Sequence, residues 1–184
     1  MPYDRFKSEE ELLKSVLRYI SPFDSYPKVT AIAGNRIYPD IDILKISAIS
    51  PSQYRMIGYE LKLIKFDKRS KGLGRDSFYK GIGEALLYLK NGVHRVILVL
   101  GFHENVLSDE MIDGFHKWLL DNRELLNRIL GNYLSVETAL YEGGALSSEV
   151  SANSDFSPPN DETRFLSEAL LKRKFTFDKS LVIK

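Results

Sequence analysis

Cysteine is absent from all 184 residues of the chain. Disulfides, thiolate metal sites and a cysteine nucleophile are therefore excluded. Histidine is scarce: His94, His103 and His116 are the full set. None has the HxH or HExxH spacing of a metal site, so surface or satisfied core positions are expected for them. Long apolar runs are missing too. The longest, Val96-Ile97-Leu98-Val99-Leu100, has the length of a strand and falls well short of a membrane span. The opening MPYDRFKSEEELL is too charged for a signal peptide. Gly72-Leu73-Gly74 and Gly81-Ile82-Gly83 do not sit between a strand and a helix start as a phosphate loop requires, so no nucleotide cofactor is expected. A cytoplasmic protein without membrane contact is the resulting expectation.

The net charge of +1 is small, but its distribution is uneven. Between Lys62 and Lys80 seven basic residues (Lys62, Lys65, Lys68, Arg69, Lys71, Arg75 and Lys80) stand against Asp67 and Asp76. A local excess of five positive charges suits a phosphate backbone. A solvated, lysine-rich loop is the plainer alternative.

Hydrophobic periodicity divides the chain into alternating elements. Residues Arg5 to Ile20 carry Leu12, Leu13, Val16, Leu17 and Ile20 at helical spacing, with Ser8 or Asp4 as cap and Ser21-Pro22 as terminator. Glu9 projects into that apolar stripe at about 100° per residue. It is either a core-facing acid in need of a partner or a first-turn acid favoured by the helix dipole. Strands are expected at Lys28–Ala33, Arg36–Ile46 and Tyr54–Ile64. A loop follows over Asp67–Gly74, then a helix from Asp76 or Ser77 to about Lys90, with Phe78, Ile82, Ala85, Leu86 and Leu89 as its apolar positions. Val93–Leu100 reads as a strand buried on both faces. Ser108 caps a helix through Trp118 to about Leu130, and Asn132–Tyr141 is a last strand. Residues 1–142 form one domain on this reading. Gly143–Glu162, rich in Ser, Gly, Asn, Asp and Pro, is a flexible linker or loop. Residues 163–184 are a short helix and a tail able to add one strand. The sheet is mixed, since a meander is followed by alternating elements.

Chemistry concentrates between Tyr38 and Lys62. Strand side chains alternate faces, so Asp40 and Asp42 share one face, as do Glu60 and Lys62. Pairing of the two strands brings two or three carboxylates and an ammonium to one place. Such convergence is costly unless a cation joins it, and a hard divalent ion is the usual solution.

In this spacing and context the chain resembles the PD-(D/E)XK nuclease superfamily. The resemblance spans about Arg5 to Leu100 in the order αβββαβ, a restriction-endonuclease-like core. Glu9 matches the helix-one acid of archaeal Holliday-junction resolvases. Pro39-Asp40 is the literal dipeptide, but Asp42, followed by Ile43-Leu44, is the better match to the catalytic Asp, with Asp40 as the alternative. Glu60 and Lys62 match the (D/E)XK pair. In FYKGIGEALLYL a Glu, Glu84, stands where many members carry Gln. The resemblance implies a Mg²⁺-dependent deoxyribonuclease, with Mn²⁺ as substitute. Its ligands would be Asp42, Glu60, the carbonyl of Leu61 and Glu9, and Lys62 would orient or deprotonate water or offset charge. Lys65, Lys68, Arg69, Lys71, Arg75 and Lys80 would hold DNA phosphates. A homodimer is expected, through the Trp118 helix or the tail. The competing reading is a catalytically silent nucleic-acid-binding or assembly protein on the same fold.

Overall fold

The computed structural model describes residues 3–20, 24–32, 35–50, 53–130, 134–139, 146–150 and 175–182. Its elements are β1 (Arg5–Phe6), α1 (Glu9–Tyr19), β2 (Ser25–Ile32), β3 (Asn35–Ser50), β4 (Gln53–Ile64), β5 (Phe66–Asp67), β6 (Gly72–Leu73), α2 (Asp76–Lys90), β7 (Arg95–His103), α3 (Asp109–Asp121), α4 (Arg123–Leu130), β8 (Leu134–Ala139), β9 (Leu146–Val150) and β10 (Phe175–Thr176). The result is a mixed α/β fold built on one large sheet of order β10-β2-β3-β4-β7-β8-β9, with β1 extending the β8 side of β7. The meander β2-β3-β4 is antiparallel, whereas β4, β7 and β8 run parallel. Strand β7 is central, and Val96 to Leu100 are buried on both faces, as its unbroken apolar run requires.

The strand period of two assigns each helix to a face. Helix α1 buries Leu12, Leu13, Val16 and Leu17 against Ile43, Tyr59, Leu61, Leu63, Ile97 and Val99. Helix α2 buries Phe78, Ala85 and Tyr88 on the other face, with Leu44, Ile64, Val96 and Leu98. Ile112, Phe115 and Leu119 of α3 join that second layer. No helix among the described residues is long and apolar enough to cross a membrane.

Several elements depart from the sequence reading. Helix α1 starts at Glu9 because Ser8 is its N-cap and accepts from the Glu11 N–H; Arg5 and Phe6 instead pair with Phe102 and His103. The Asp67–Gly74 segment is not a plain loop but a tight hairpin, β5-β6. Asp67 closes it by accepting from the N–H groups of Arg69 and Ser70, the usual device of an Asp-led turn. Helix α2 begins at Asp76 with Arg75 as an N-cap that makes no side-chain capping bond. The long third helix is two, α3 and α4, divided at Asn122, whose Nδ2 donates to the Trp118 carbonyl. Within the stretch read as a linker, Leu146–Val150 pairs antiparallel with β8 as β9; the rest of 143–162 and the helix expected at 163–174 lie outside the described residues. The tail supplies its strand: Phe175 and Thr176 pair with Ile32 and Ala31.

Candidate active site

The rungs between β3 and β4 start at Ile43↔Tyr59 and run to Ser50↔Gln53. On the other side of Ile43, β3 stays with β2 through Val29↔Ile41 and on to Ala31↔Arg36 and Ile32↔Asn35. Strand β4 meanwhile stays with β7 as far as Ile64↔Phe102. The two central strands therefore part company just where Asp42 and Glu60 face each other. Backbone groups freed by such a fork need other partners, and side chains provide them. The Leu61 N–H donates to Asp42 Oδ2 at 2.9 Å. The Asp42 N–H donates to the Tyr88 hydroxyl, also at 2.9 Å.

Five of the sequence candidates meet in this fork or beside it: Asp42, Glu60, Lys62, and the backbones of Asp40 and Leu61. Asp42, Glu60 and Lys62 are 7%, 2% and 8% exposed, which for three charged residues demands mutual compensation. The Lys62 ammonium donates to Glu60 Oε1 and lies 2.6 Å from Glu84 Oε2. The remaining Glu60 oxygen, Oε2, accepts from the Tyr88 hydroxyl. Asp42 Oδ1 is paired with the ammonium of Lys28. Of the two aspartates, Asp42 places its carboxylate in the fork, and Asp40 offers the cluster its backbone carbonyl, 2.9 Å from the Tyr88 hydroxyl. Leu61, expected to offer its carbonyl to a metal, is tied to the fork by its N–H. The N–H and carbonyl of one strand residue leave on the same edge, so the Leu61 carbonyl faces the fork along with its N–H.

Glu9 does not join them. It is exposed at the first position of α1, and α1 covers the opposite face of the sheet. The buried stripe of α1 begins at Leu12, and Glu9 stands in the first turn with Glu10 and Glu11, where the helix dipole favours acids. None of the cluster's hydrogen bonds or ion pairs among the described residues reaches Glu9. Nor, among the described residues, do three or more His, Asp or Glu side chains converge in the manner of a complete metal cage. The acidic core of the site is the pair Asp42 and Glu60.

The electrostatics follow from burial. Removal from water, then the Asp42 charge and the Glu84 hydrogen bond, push the Glu60 carboxyl up to about 8 in spite of Lys62. For Lys62, burial disfavours the charge, but Glu60, Glu84 and Asp42 more than offset it and raise its affinity for the proton. Lys62 therefore remains an ammonium. Glu84 is penalised by burial yet held below its usual value by bonds to Glu60 and Lys62 and by the nearby Lys62 and Lys80 charges. Burial and the Asp42 and Glu60 charges make the Tyr88 phenol a weaker acid still, so it serves as a neutral hydroxyl.

Two members were not foreseen. Tyr88 lies four residues beyond Glu84, hence on the same helical face. The sheet-facing line of α2 is Phe78, Gly81, Ala85 and Tyr88, whereas Leu86 is 42% exposed. A polar-tipped aromatic on a line carrying Glu84 was the available signal. Lys28 gave none: its left-handed backbone, with φ of 50°, is a property of the folded strand.

The basic residues occupy a different zone. Lys68, Arg69 and Lys71 are exposed on the β5-β6 turn, and Lys65 just precedes it. Lys80 lies 3.6 Å from Glu84 and is largely in solvent. The Arg75 guanidinium sits over the Trp118 ring, 4.4 Å from its centroid.

The sequence matches no family model and no curated protein.

Proposed function

We propose that the fork is the active site of a metal-dependent nuclease acting on DNA, on a restriction-endonuclease-like arrangement of the sheet. The observation that carries this reading is the pair of buried carboxylates, Asp42 and Glu60, facing each other where the β3–β4 ladder stops, with Lys62 beside them. The donor set fits a hard divalent cation. Carboxylate oxygens and a strand carbonyl are the ligands such ions take, and burial first, then the Asp42 charge, raise the Glu60 carboxyl, an environment that a bound cation would relieve. Asp42, Glu60 and the Leu61 carbonyl would hold the ion. A bound Mg²⁺ or Mn²⁺ would make its water more acidic and withdraw charge from a phosphoryl oxygen.

The chain's own groups have separable tasks. Lys62, kept protonated by its two carboxylate partners, is a hydrogen-bond donor and positive charge for the phosphorane-like transition state, not a base at neutral pH. Tyr88 fixes the Glu60 carboxylate and the Asp42 backbone together, so the two acids keep one spacing. Glu84 holds Lys62 from the α2 side. The hairpin lysines and arginine attract the phosphates flanking the scissile one. Two copies of the chain, each presenting one fork, would suit a substrate with two strands to cut.

A silent binding module is the second reading, and one observation favours it: both ammonium groups already neutralise carboxylates, Lys28 on Asp42 and Lys62 on Glu60 and Glu84. The experiment that separates the two is cleavage of single-stranded, duplex, flap and four-way-junction DNA with Mg²⁺ or Mn²⁺ and with EDTA. Hydrolysis that needs the metal and vanishes in Asp42→Ala, Glu60→Ala and Lys62→Ala supports the enzyme. Full activity of Glu60→Ala refutes the site.

A further inference from the structure

A cleft separate from the acidic fork opens between the β5-β6 hairpin and α3. Its volume is about 160 Å³, and Leu73, Arg75, Met111, Gly114, Phe115 and Trp118 line it. The floor is apolar and aromatic: Phe115 and Trp118 rings pack with centroids 5.5 Å apart, and Phe78 meets the Trp118 edge at 5.4 Å. Arg75 supplies a flat cationic plane over the indole. Gly114 leaves the rim open, since a side chain there would meet nothing within 4 Å. A second, larger depression of about 430 Å³ adjoins it, sharing Gly72, Leu73 and Arg75 and reaching Asp67, Ser70 and Asp76. Its charged lining is Arg75 with Asp67 and Asp76, while the exposed Lys68, Arg69 and Lys71 stand on the turn of the same hairpin.

The two spaces have complementary chemistry. An apolar cavity of about 150 Å³ holds one benzene-sized ring, so the inner cleft has room for one planar heterocycle and little more. Its walls are what unpaired bases stack on: aromatic rings and an Arg guanidinium plane. The exposed lysines and arginine of the hairpin turn, beside the outer depression, supply the positive charge that phosphates require. A single unpaired nucleotide joins these chemistries, with a flat apolar-faced base at one end and an anion at the other. Helix α2 connects this place to the fork. From Arg75 to Glu84 it rises roughly 13 Å, about four stacked nucleotides at 3.4 Å each.

We propose that this cleft binds one unpaired base of the nucleic acid, a few nucleotides from the scissile phosphate, with the hairpin holding the phosphates beside it. This rests on the nucleic-acid reading above and adds a preference for single-stranded or locally opened DNA.

Trp118 is the one tryptophan in the chain, so its emission reports on the cleft directly. The experiment titrates the full-length protein in EDTA with a single-stranded DNA 12-mer, following Trp118 emission and, in parallel, the anisotropy of the same oligonucleotide carrying a dye. A blunt duplex is the control. The cleft is blocked in Gly114→Leu, which adds a side chain where space is open and replaces glycine inside a helix by a better helix former; circular dichroism checks its melting. Expected are a quenched emission with single strands and about a tenfold weaker single-strand Kd in Gly114→Leu, in line with a stacking contribution of about 1–3 kcal/mol, with duplex affinity unchanged. Binding by anisotropy with unaltered Trp118 emission and an unaffected Gly114→Leu overturns the cleft and leaves the nuclease reading intact. No binding of either DNA overturns the cleft, and the nuclease reading is then decided by cleavage with Mg²⁺ or Mn²⁺.

Discussion

Glu60 is the residue whose environment does most to set the behaviour of the metal-free protein. Its carboxyl titrates near 4.5 in an exposed chain and near 8 in the fold. A raised acid favours the native state fully below the lower value and progressively less as pH climbs through the higher one. The stability of the apo protein is therefore expected to fall between about pH 4.5 and 8. Glu60→Gln, which keeps the shape and cannot ionise, should flatten that slope and raise Tm at pH 8, by about 2–4 °C for each kcal/mol relieved. Thermal melts from pH 5 to 8 in EDTA check this; parallel curves for the two proteins would show that Glu60 does not carry the slope. Lys28 sets a second test. Its ammonium occupies one oxygen of Asp42, so a divalent ion at Asp42 must compete with it. Lys28→Met should bind Mg²⁺ several-fold more tightly by calorimetry. Equal affinity in the two proteins would mean that Lys28 and the ion do not share Asp42. At this scale the sequence was informative where chemistry alone places a residue. Asp42, Glu60 and Lys62 follow from strand alternation, whereas Lys28 depends on a positive φ that no residue pattern announces. Glu9 fails for a related reason, since the helical wheel gives its angle but not that the helix begins at Glu9 itself.

Among the elements, α2 matters most because it closes over the fork at short range. A Cβ on Gly81 would come within 2.6 Å of Leu98 Cδ1 and 2.8 Å of Lys62 Cγ. Glycine is required by this approach rather than by backbone conformation. Gly81→Ala should cost about 1–3 kcal/mol through overpacking and shift Lys62 away from Glu60 and Glu84. Activity should fall further than stability, whereas Gly83→Ala, with open space around it, should leave activity intact and slightly stabilise the helix. Equal activity of the two variants would show that the α2–β4 spacing does not matter to the site. Tyr88 acts through the same contact. Tyr88→Phe removes one buried hydroxyl with partners on both strands, and a loss of about 1–3 kcal/mol is expected in denaturant melts. The elements themselves were largely legible because β7 is an unbroken apolar run and α1 a clean amphipathic stripe. The hairpin β5-β6 was not, since two-residue strands carry no period and an Asp-led turn reads as a loop.

For the whole molecule, the fork divides the sheet into two ladders. Strands β10, β2 and β3 form one, and β4, β7, β8 and β9 with β1 the other, joined through the rungs from Ile43↔Tyr59 to Ser50↔Gln53. A mixed sheet with an antiparallel meander was foreseeable from the alternation of elements. The point at which β3 and β4 separate was not, because both strands continue in sequence without a break. The hairpin turn is a strongly basic projection, with Lys68, Arg69 and Lys71 exposed. Neutralising Lys68, Arg69 and Lys71 together should reduce the slope of log affinity against log salt by about 3 if each meets one phosphate. Calorimetric Mg²⁺ affinity should be unaffected; an unchanged slope would place the phosphates elsewhere.

The fork also makes two amides unusual as clocks. In an ordinary sheet an amide proton is shielded by its neighbouring strand and is released to deuterium when that strand opens. The Leu61 amide is shielded by the Asp42 carboxylate and the Asp42 amide by the Tyr88 oxygen. Their deuterium uptake therefore times the loosening of the acidic pair instead of the sheet. In Asp42→Ala the Leu61 amide should exchange orders of magnitude faster while that of Leu98, inside the β7 ladders, keeps its pace.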